Sequence, residues 1–373
     1  MTAGQIVARA LAHPREGFPA SAGVDARDLI AVAGQHRVLV LLGSLLRAAG
    51  TLDGWPPAFV DAFLADQRCA AAVDCIRQAE VTAVLAALAA RRLRALAIKG
   101  AALAHVCYPA PHLRPHTDTD LFVAAEDAPA VEETFARLGY DRQRETSGQL
   151  VSYQRHFGKR DRHGVFHAFD VHFKISNRQM LADRITFEEL WRRRVPVAAL
   201  GPAAATVGTV DALILALVHR AGHHPGSRDL LWVYDLHLLA GALTDDERIE
   251  VVDLVSARGL RRIAGEGLRL ARDMFGTDAA DPIVDAIDRH PAHADEVSVI
   301  AAKSSETDLL RLDLHALPTW RERRRLVREH LFPAPSYMRD KYGVRSPLLL
   351  PALYAWRVVA GAPRWLRRRD DVR

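Results

Sequence analysis

The feature that most restricts the fold is a change of hydrophobic period at Arg94. Before it, DARDLIAVAGQHRVLVLLGSLLRAAG and PPAFVDAFLADQRCAAAVDCIRQAEVTAVLAALAARR carry apolar residues at three-and-four spacing, the mark of helices. Pro56-Pro57 stands where a helix start tolerates proline. After it come short runs of another kind. LRALAIKG is a brief apolar stretch ended by glycine and predicts a buried strand, and AALAHVCY predicts a short helix stopped by the loop PAPHLRPH. TDTDLFV is the next expected strand, and EDAPAVEETFARLGY a helix closing on Gly139. QLVSYQRHF and GVFHAFDVHFKI, separated by GKRDRH, predict a hairpin.

From about Phe187 helical texture returns, through TVDALILALVHRAGHH, LLWVYDLHLLAGAL and TDDERIEVVDLVSARGL. Strands interleaved with helices and enclosed by helical flanks predict an α+β chain with a mixed or antiparallel sheet. The expected division is an N-terminal helical region over 1–92, a core over 93–186 and a C-terminal helical domain over 187–373.

The core region places two carboxylates side by side. On a strand, residues two apart point to one face, so Asp118 and Asp120 project together and leave Thr119, Leu121 and Val123 on the other. Parallel carboxylates repel, and a divalent cation offsets that repulsion. Magnesium takes oxygen ligands, typically one or two carboxylates plus substrate phosphates. In HAFDVHFKI, Asp170 lies mid-strand with His172 and Lys174 on its face and Phe169, Val171 and Phe173 opposite. An aspartate embedded there is costly unless it is paired or ligating. The competing reading is an edge-strand carboxylate facing water or an arginine.

Upstream, Gly100 stands where a strand turns into a helix, which suits close approach of an anion to backbone N–H groups. Lys99 adds a point charge, and Arg114 is placed to clamp a triphosphate oxygen or to pair with a carboxylate.

LAIKGAALAHVCYPAPHLRPHTDTDLFV followed by FDVHF resembles the bacterial uncharacterised nucleotidyltransferase family, within the DNA polymerase beta-like nucleotidyltransferase superfamily. The superfamily pattern is a Gly-Ser or Gly-Gly turn, Asp-hydrophobic-Asp on a strand and a later strand aspartate. The matching positions are Gly100-Ala101, Asp118-Thr119-Asp120 and Asp170. The likeness is strongest over 95–175 and extends less specifically to LLWVYDLHLLA and FPAPSYMRDKYG. Ala101 and Thr119 depart from the pattern, and the YPAPHLRPH loop lengthens the spacing.

The resemblance implies transfer of a nucleoside monophosphate from a nucleoside triphosphate, ATP among them, to an acceptor hydroxyl with release of pyrophosphate. Asp118, Asp120 and Asp170 would be both catalytic and metal ligands, for Mg2+ or Mn2+, and Asp170 would take the acceptor's proton. Lys99, Gly100, Ala101, Arg114 and Lys174 would hold phosphates, with His172, His219 and Asp235 as secondary candidates.

The stretch VHRAGHHPGSRDLLWVYDLH also gathers histidines. His219 and His223 share a helix face, but Arg220 stands where a zinc protease has glutamate, and no adjacent His-Asp pair occurs there. These residues are expected to line the cleft or satisfy one another.

A net charge of +5 with both signs interspersed makes the expected acceptor a small molecule, peptide or protein rather than nucleic acid. An RNA-modifying enzyme of toxin type and a silent nucleotide-binding scaffold are the alternatives. Cys69, Cys75 and Cys107 make no disulfide framework, and no secretory signal or spanning segment is evident, so a cytoplasmic location is expected. The C-terminal LLLPALYAWRVVAGAPRWLRRR is expected to be a core or partner-facing helix, with a membrane-surface helix as the alternative.

Overall fold

The computed structural model describes residues 1–19, 23–143, 148, 150–224, 226–289, 306–344 and 346–366. The leading helical texture becomes α1 (Ala3–Ala12), α2 (Ala26–Gln35), α3 (Leu39–Ala49) and α4 (Pro57–Ala90). α4 starts with Pro57 in its first turn, where the missing N–H costs nothing. It stops on Arg92, which takes the left-handed conformation at φ 59° that glycine usually fills. Arg92 N–H donates to Ala89 O at 2.8 Å and Leu93 N–H to Leu88 O at 3.0 Å, closing the last turn.

Next come β1 (Ala95–Ile98), α5 (Lys99–Val106), β2 (Thr119–Val123), α6 (Ala128–Arg137), β3 (Asp141–Arg142), β4 (Gln154–Arg160) and β5 (Phe166–His172). Their order in the sheet is β1-β2-β5-β4-β3. β1 and β2 are antiparallel, β2 and β5 parallel, and the expected β4–β5 hairpin is present. The class is mixed α+β, as the sequence predicts.

Alternation divides the sheet's residues between two cores. Ala95, Ala97, Leu121, Val123, Phe157, Phe169 and Val171 pack with Val84, Leu88 and Phe135 of α4 and α6. Leu96, Ile98 and Phe122 face the other way, into a larger cluster. That cluster runs without a break from Ile6 and Leu29 in the N-terminal helices to Leu213, Leu236 and Leu268 in the C-terminal ones. The helices at the two ends of the chain therefore share one core, laid over the sheet face that carries Asp120 and Asp170.

The chain continues through α7 (Gln179–Ala182), α8 (Phe187–Arg192), α9 (Thr209–His223), α10 (Leu230–Ala242), α11 (Asp245–Ala257), α12 (Arg261–Phe275), α13 (Asp281–Arg289), α14 (Glu306–Ala316), α15 (Trp320–Leu331), α16 (Pro335–Tyr342) and α17 (Leu350–Leu366). The uninterrupted helical texture expected after Phe187 is corrected at one place. β6 (Arg194–Pro196) and β7 (Ala205–Val207) form a small antiparallel ribbon. Three residues per strand are too few for a period-2 signal to stand out.

Of the two expectations for the C-terminal helix, core or partner-facing, the first is corrected. Trp356 is 60% exposed and Val359 67%, so this face is not core; the Trp365 side chain and residues 367–373 lie outside the described residues. No single described helix is long and apolar enough to cross a membrane. The cysteines are free.

Candidate active site

The parallel register sets Asp120 opposite Asp170 and Phe122 opposite His172 on neighbouring strands. Since side chains two apart share a face, Asp120, Asp170 and His172 emerge on the same side of the sheet. One donor atom from each lies within 4.8 Å of the other two, a set able to hold a metal ion. Asp118 sits just before β2 rather than in it, and is not part of that set. It lines the same cavity of about 390 Å³ together with Lys99, Gly100, Arg114, Asp120, Asp170 and His172.

Lys99 brings a positive charge directly against the carboxylates. It opens α5 at φ 53°, a left-handed conformation that a side-chain-bearing residue adopts at a cost. That turn brings its Nζ to 2.7 Å from Asp120 Oδ1 and 3.2 Å from His172 Nε2. His172 Nε2 itself lies 2.7 Å from the same carboxylate oxygen. Burial and then the Lys99 charge hold the His172 pKa below its ordinary value. Its neutral ring either donates to Asp120 or accepts from Lys99.

The carboxylates divide electrostatically. Burial pushes the Asp120 carboxyl up, but Lys99 and His172 outweigh it and hold the group far below the usual range. Asp118 goes the other way: burial, then repulsion from Asp120 and Asp170, raises it to about 6. Asp170 receives His156 Nδ1 at 2.5 Å across the β4–β5 ladder. Of the three carboxylates only Asp120 is bonded to Lys99, and like charges this close together are a place where a divalent cation is favourable.

Arg114 is 6% exposed and spends Nε and Nη2 on the two oxygens of Asp235, at 3.2 and 2.6 Å. Tyr108 donates to the same carboxylate at 2.7 Å. A Cβ on Gly100 would fall 2.2 Å from Arg114 Nη1, so this glycine makes room for the arginine. Asp235 thus reaches the site as the anchor of Arg114. Ala101 is buried in the first turn of α5, and its side chain is not in the cavity wall. Lys174 lies beyond β5, paired with Asp183 at 2.8 Å and away from the cavity lining.

The helical wall of the cavity comes from α9 and α10. His219, His223, His224 and Trp232 line it, and so does Arg37 from the turn between α2 and α3. The sequence signalled the histidines but not Arg37, Trp232, Gln154 or His156. His156 was not within reach, because a turn at GKRDRH would set it across from Val165, and only the longer strands, paired as far as Arg160 and Phe166, bring it to Asp170; Arg37 lies 195 positions from Trp232 along the chain and gives no local signal.

The sequence pattern of the uncharacterised nucleotidyltransferases matches residues 22–276, more than half of the chain and all of the sheet and cavity described above. No curated protein matches the chain. This chain belongs to the family of uncharacterised nucleotidyltransferases.

Proposed function

We propose that the protein is a metal-dependent enzyme that transfers a nucleoside monophosphate from a nucleoside triphosphate to a hydroxyl of a small molecule, peptide or protein. The observation that carries this reading is the register match of Asp120 with Asp170, with Asp118 close enough to repel both. In the reaction the acceptor oxygen bonds to the α-phosphorus, the bond from that phosphorus to the bridging oxygen of the β-phosphate breaks, and pyrophosphate leaves. Such chemistry needs positioning and charge stabilisation, with no covalent protein nucleophile.

The donor set fits a divalent ion. Asp120 and Asp170 supply oxygens suited to Mg2+ or Mn2+, and His172 offers a nitrogen beside them. When bound, the ion would polarise phosphate oxygens and lower the pKa of the attacking hydroxyl. Asp118 would complete the acidic cluster. Asp170, oriented by His156, would accept the acceptor's proton. Lys99 would exchange its carboxylate partner for a phosphate oxygen, and the first-turn N–H groups of Gly100 and Ala101 would face the same anion.

Two observations favour turnover over a silent scaffold. The acidic residues are all present around one cavity, and Ala101 points its methyl into the core, so no hydroxyl is missing from the cavity wall at that position. The basic run at Arg321–Arg325 lines a separate surface groove, outside this cavity.

Labelled nucleoside triphosphates with Mg2+ or Mn2+ and an acceptor panel test the proposal. Pyrophosphate release is expected from the wild type and should fall at least about a thousandfold in Asp120→Asn and Asp170→Asn. Release unchanged in both variants would overturn it.

A further inference from the structure

The carboxylate end of the cavity accounts for a metal and a triphosphate, but not for the helical wall. There, four rings converge. His219 and His223 stack at 5.1 Å between centroids, and His224 lies 4.0 Å from Trp232 at an angle of 36°. Arg37 carries its guanidinium carbon 5.1 Å over the Trp232 ring, and a 3.2 Å pair with Asp229 fixes it there. His223, His224 and Trp232 remain partly exposed, at the cavity wall. The same cavity is lined by Leu103, Val106, Val207 and Leu215, which offer nothing to a phosphate.

This end is also poor in available positive charge. Arg37 is tied to Asp229, and Arg220 to Glu266 at 3.1 Å. Burial keeps the imidazoles of His219 and His223 neutral. A neutral, ring-lined surface suits an uncharged heteroaromatic ring, which stacks on aromatic faces whatever its sequence of edge groups. One polar atom points to such a ligand: His219 Nδ1 is buried without a hydrogen-bond partner in the protein. Burying such a group unpaired is costly, and a turn of the ring toward the cavity would let a base edge, which carries both donors and acceptors, satisfy it.

We propose that His219, His223, His224 and Trp232, with Trp232 steadied by Arg37, form the subsite for the nucleobase of the triphosphate. The proposal rests on the nucleotidyltransferase reading of this cavity and adds the orientation of the substrate in it. The phosphates lie toward Lys99 and the carboxylates, and the base lies against α9 and α10. Arg37 also gives the N-terminal helices a part in nucleotide binding.

Calorimetric titration of the full chain in Mg2+ tests it, using the four common ribonucleoside triphosphates and inorganic tripolyphosphate, which has the charge but no base. At least one nucleoside triphosphate is expected to bind the wild type about tenfold or more tightly than tripolyphosphate. Trp232→Ala and His224→Ala should each remove most of that advantage and leave tripolyphosphate binding unchanged, while Trp232→Phe should keep it. A thermal melt confirms that each variant is folded, and Asp170→Asn should weaken both ligands together. Equal affinity of the wild type for tripolyphosphate and every nucleotide would overturn the base subsite while leaving the triphosphate site standing. An advantage that survives both alanine variants would overturn it too, and leave these rings to the acceptor. Failure of all five ligands to bind would instead overturn the nucleotidyltransferase reading, and the subsite with it.

Discussion

Lys99 concentrates the local conflict of the site in one residue. Its left-handed backbone costs energy, and its ammonium repays part of that by balancing Asp120. The two effects separate by mutation. Lys99→Gly relieves the backbone and Lys99→Ala does not, so the glycine variant is expected to be the more stable of the two by about 1 kcal/mol. Both should lose activity to a similar extent, since both lack the charge. Urea unfolding beside pyrophosphate release checks this; equal stability of the two variants would mean the backbone at position 99 relaxes freely. The sequence announced Lys99 as a phosphate contact, but its pairing with Asp120 and His172 needed the register of three strands and was not legible there.

At the scale of elements, the site is held by ties between the sheet region and the helices that follow. The most buried is Arg114, in the loop before β2, on Asp235 of α10 with Tyr108 as a third partner. Removing one member leaves the other charge buried and unpaired, so Arg114→Ala should cost about 3–5 kcal/mol, measured by denaturant unfolding. Lysine cannot reproduce the two-pronged geometry, so Arg114→Lys should recover only part of the loss. A near-neutral Arg114→Ala would show that water reaches this pair.

Much of this arrangement could be read from the sequence. β2, β5 and α6 follow from alternation and period, and their aspartates from the cost of placing carboxylates in apolar strands. Other parts could not. Arg92 and Arg37 adopt left-handed backbone without the glycine that usually announces it, and β6–β7 is too short to show a period. Arg114 read equally well as a phosphate clamp or an ion-pair partner, and only the fold of α10 against the loop decides for Asp235.

For the whole molecule, one continuous core joins the two ends of the chain, and buried neutral imidazoles are placed through it. Burial lowers the pKa of His105, His219 and His237 below the ordinary 6.5, and that of His223 to about 3. Below pH 6.5 the unfolded chain therefore binds protons that the folded chain refuses. Stability should be fully present above the ordinary histidine value and fall as pH drops from there toward about 3. Denaturant unfolding at pH 7.5 and 5.0 should show this loss, and His223→Gln should make the dependence shallower. Stability that is flat across this range would mean that these rings open to water without cost.

The acidic cluster itself is tested most directly by counting bound Mn2+ with electron paramagnetic resonance in the presence of a nucleoside triphosphate. Wild-type protein should immobilise Mn2+, and Asp120→Asn and Asp170→Asn, folded by thermal melt, should each release it to the free-ion signal. Mn2+ held as tightly by both variants as by the wild type would contradict a metal site at the paired β2 and β5 aspartates.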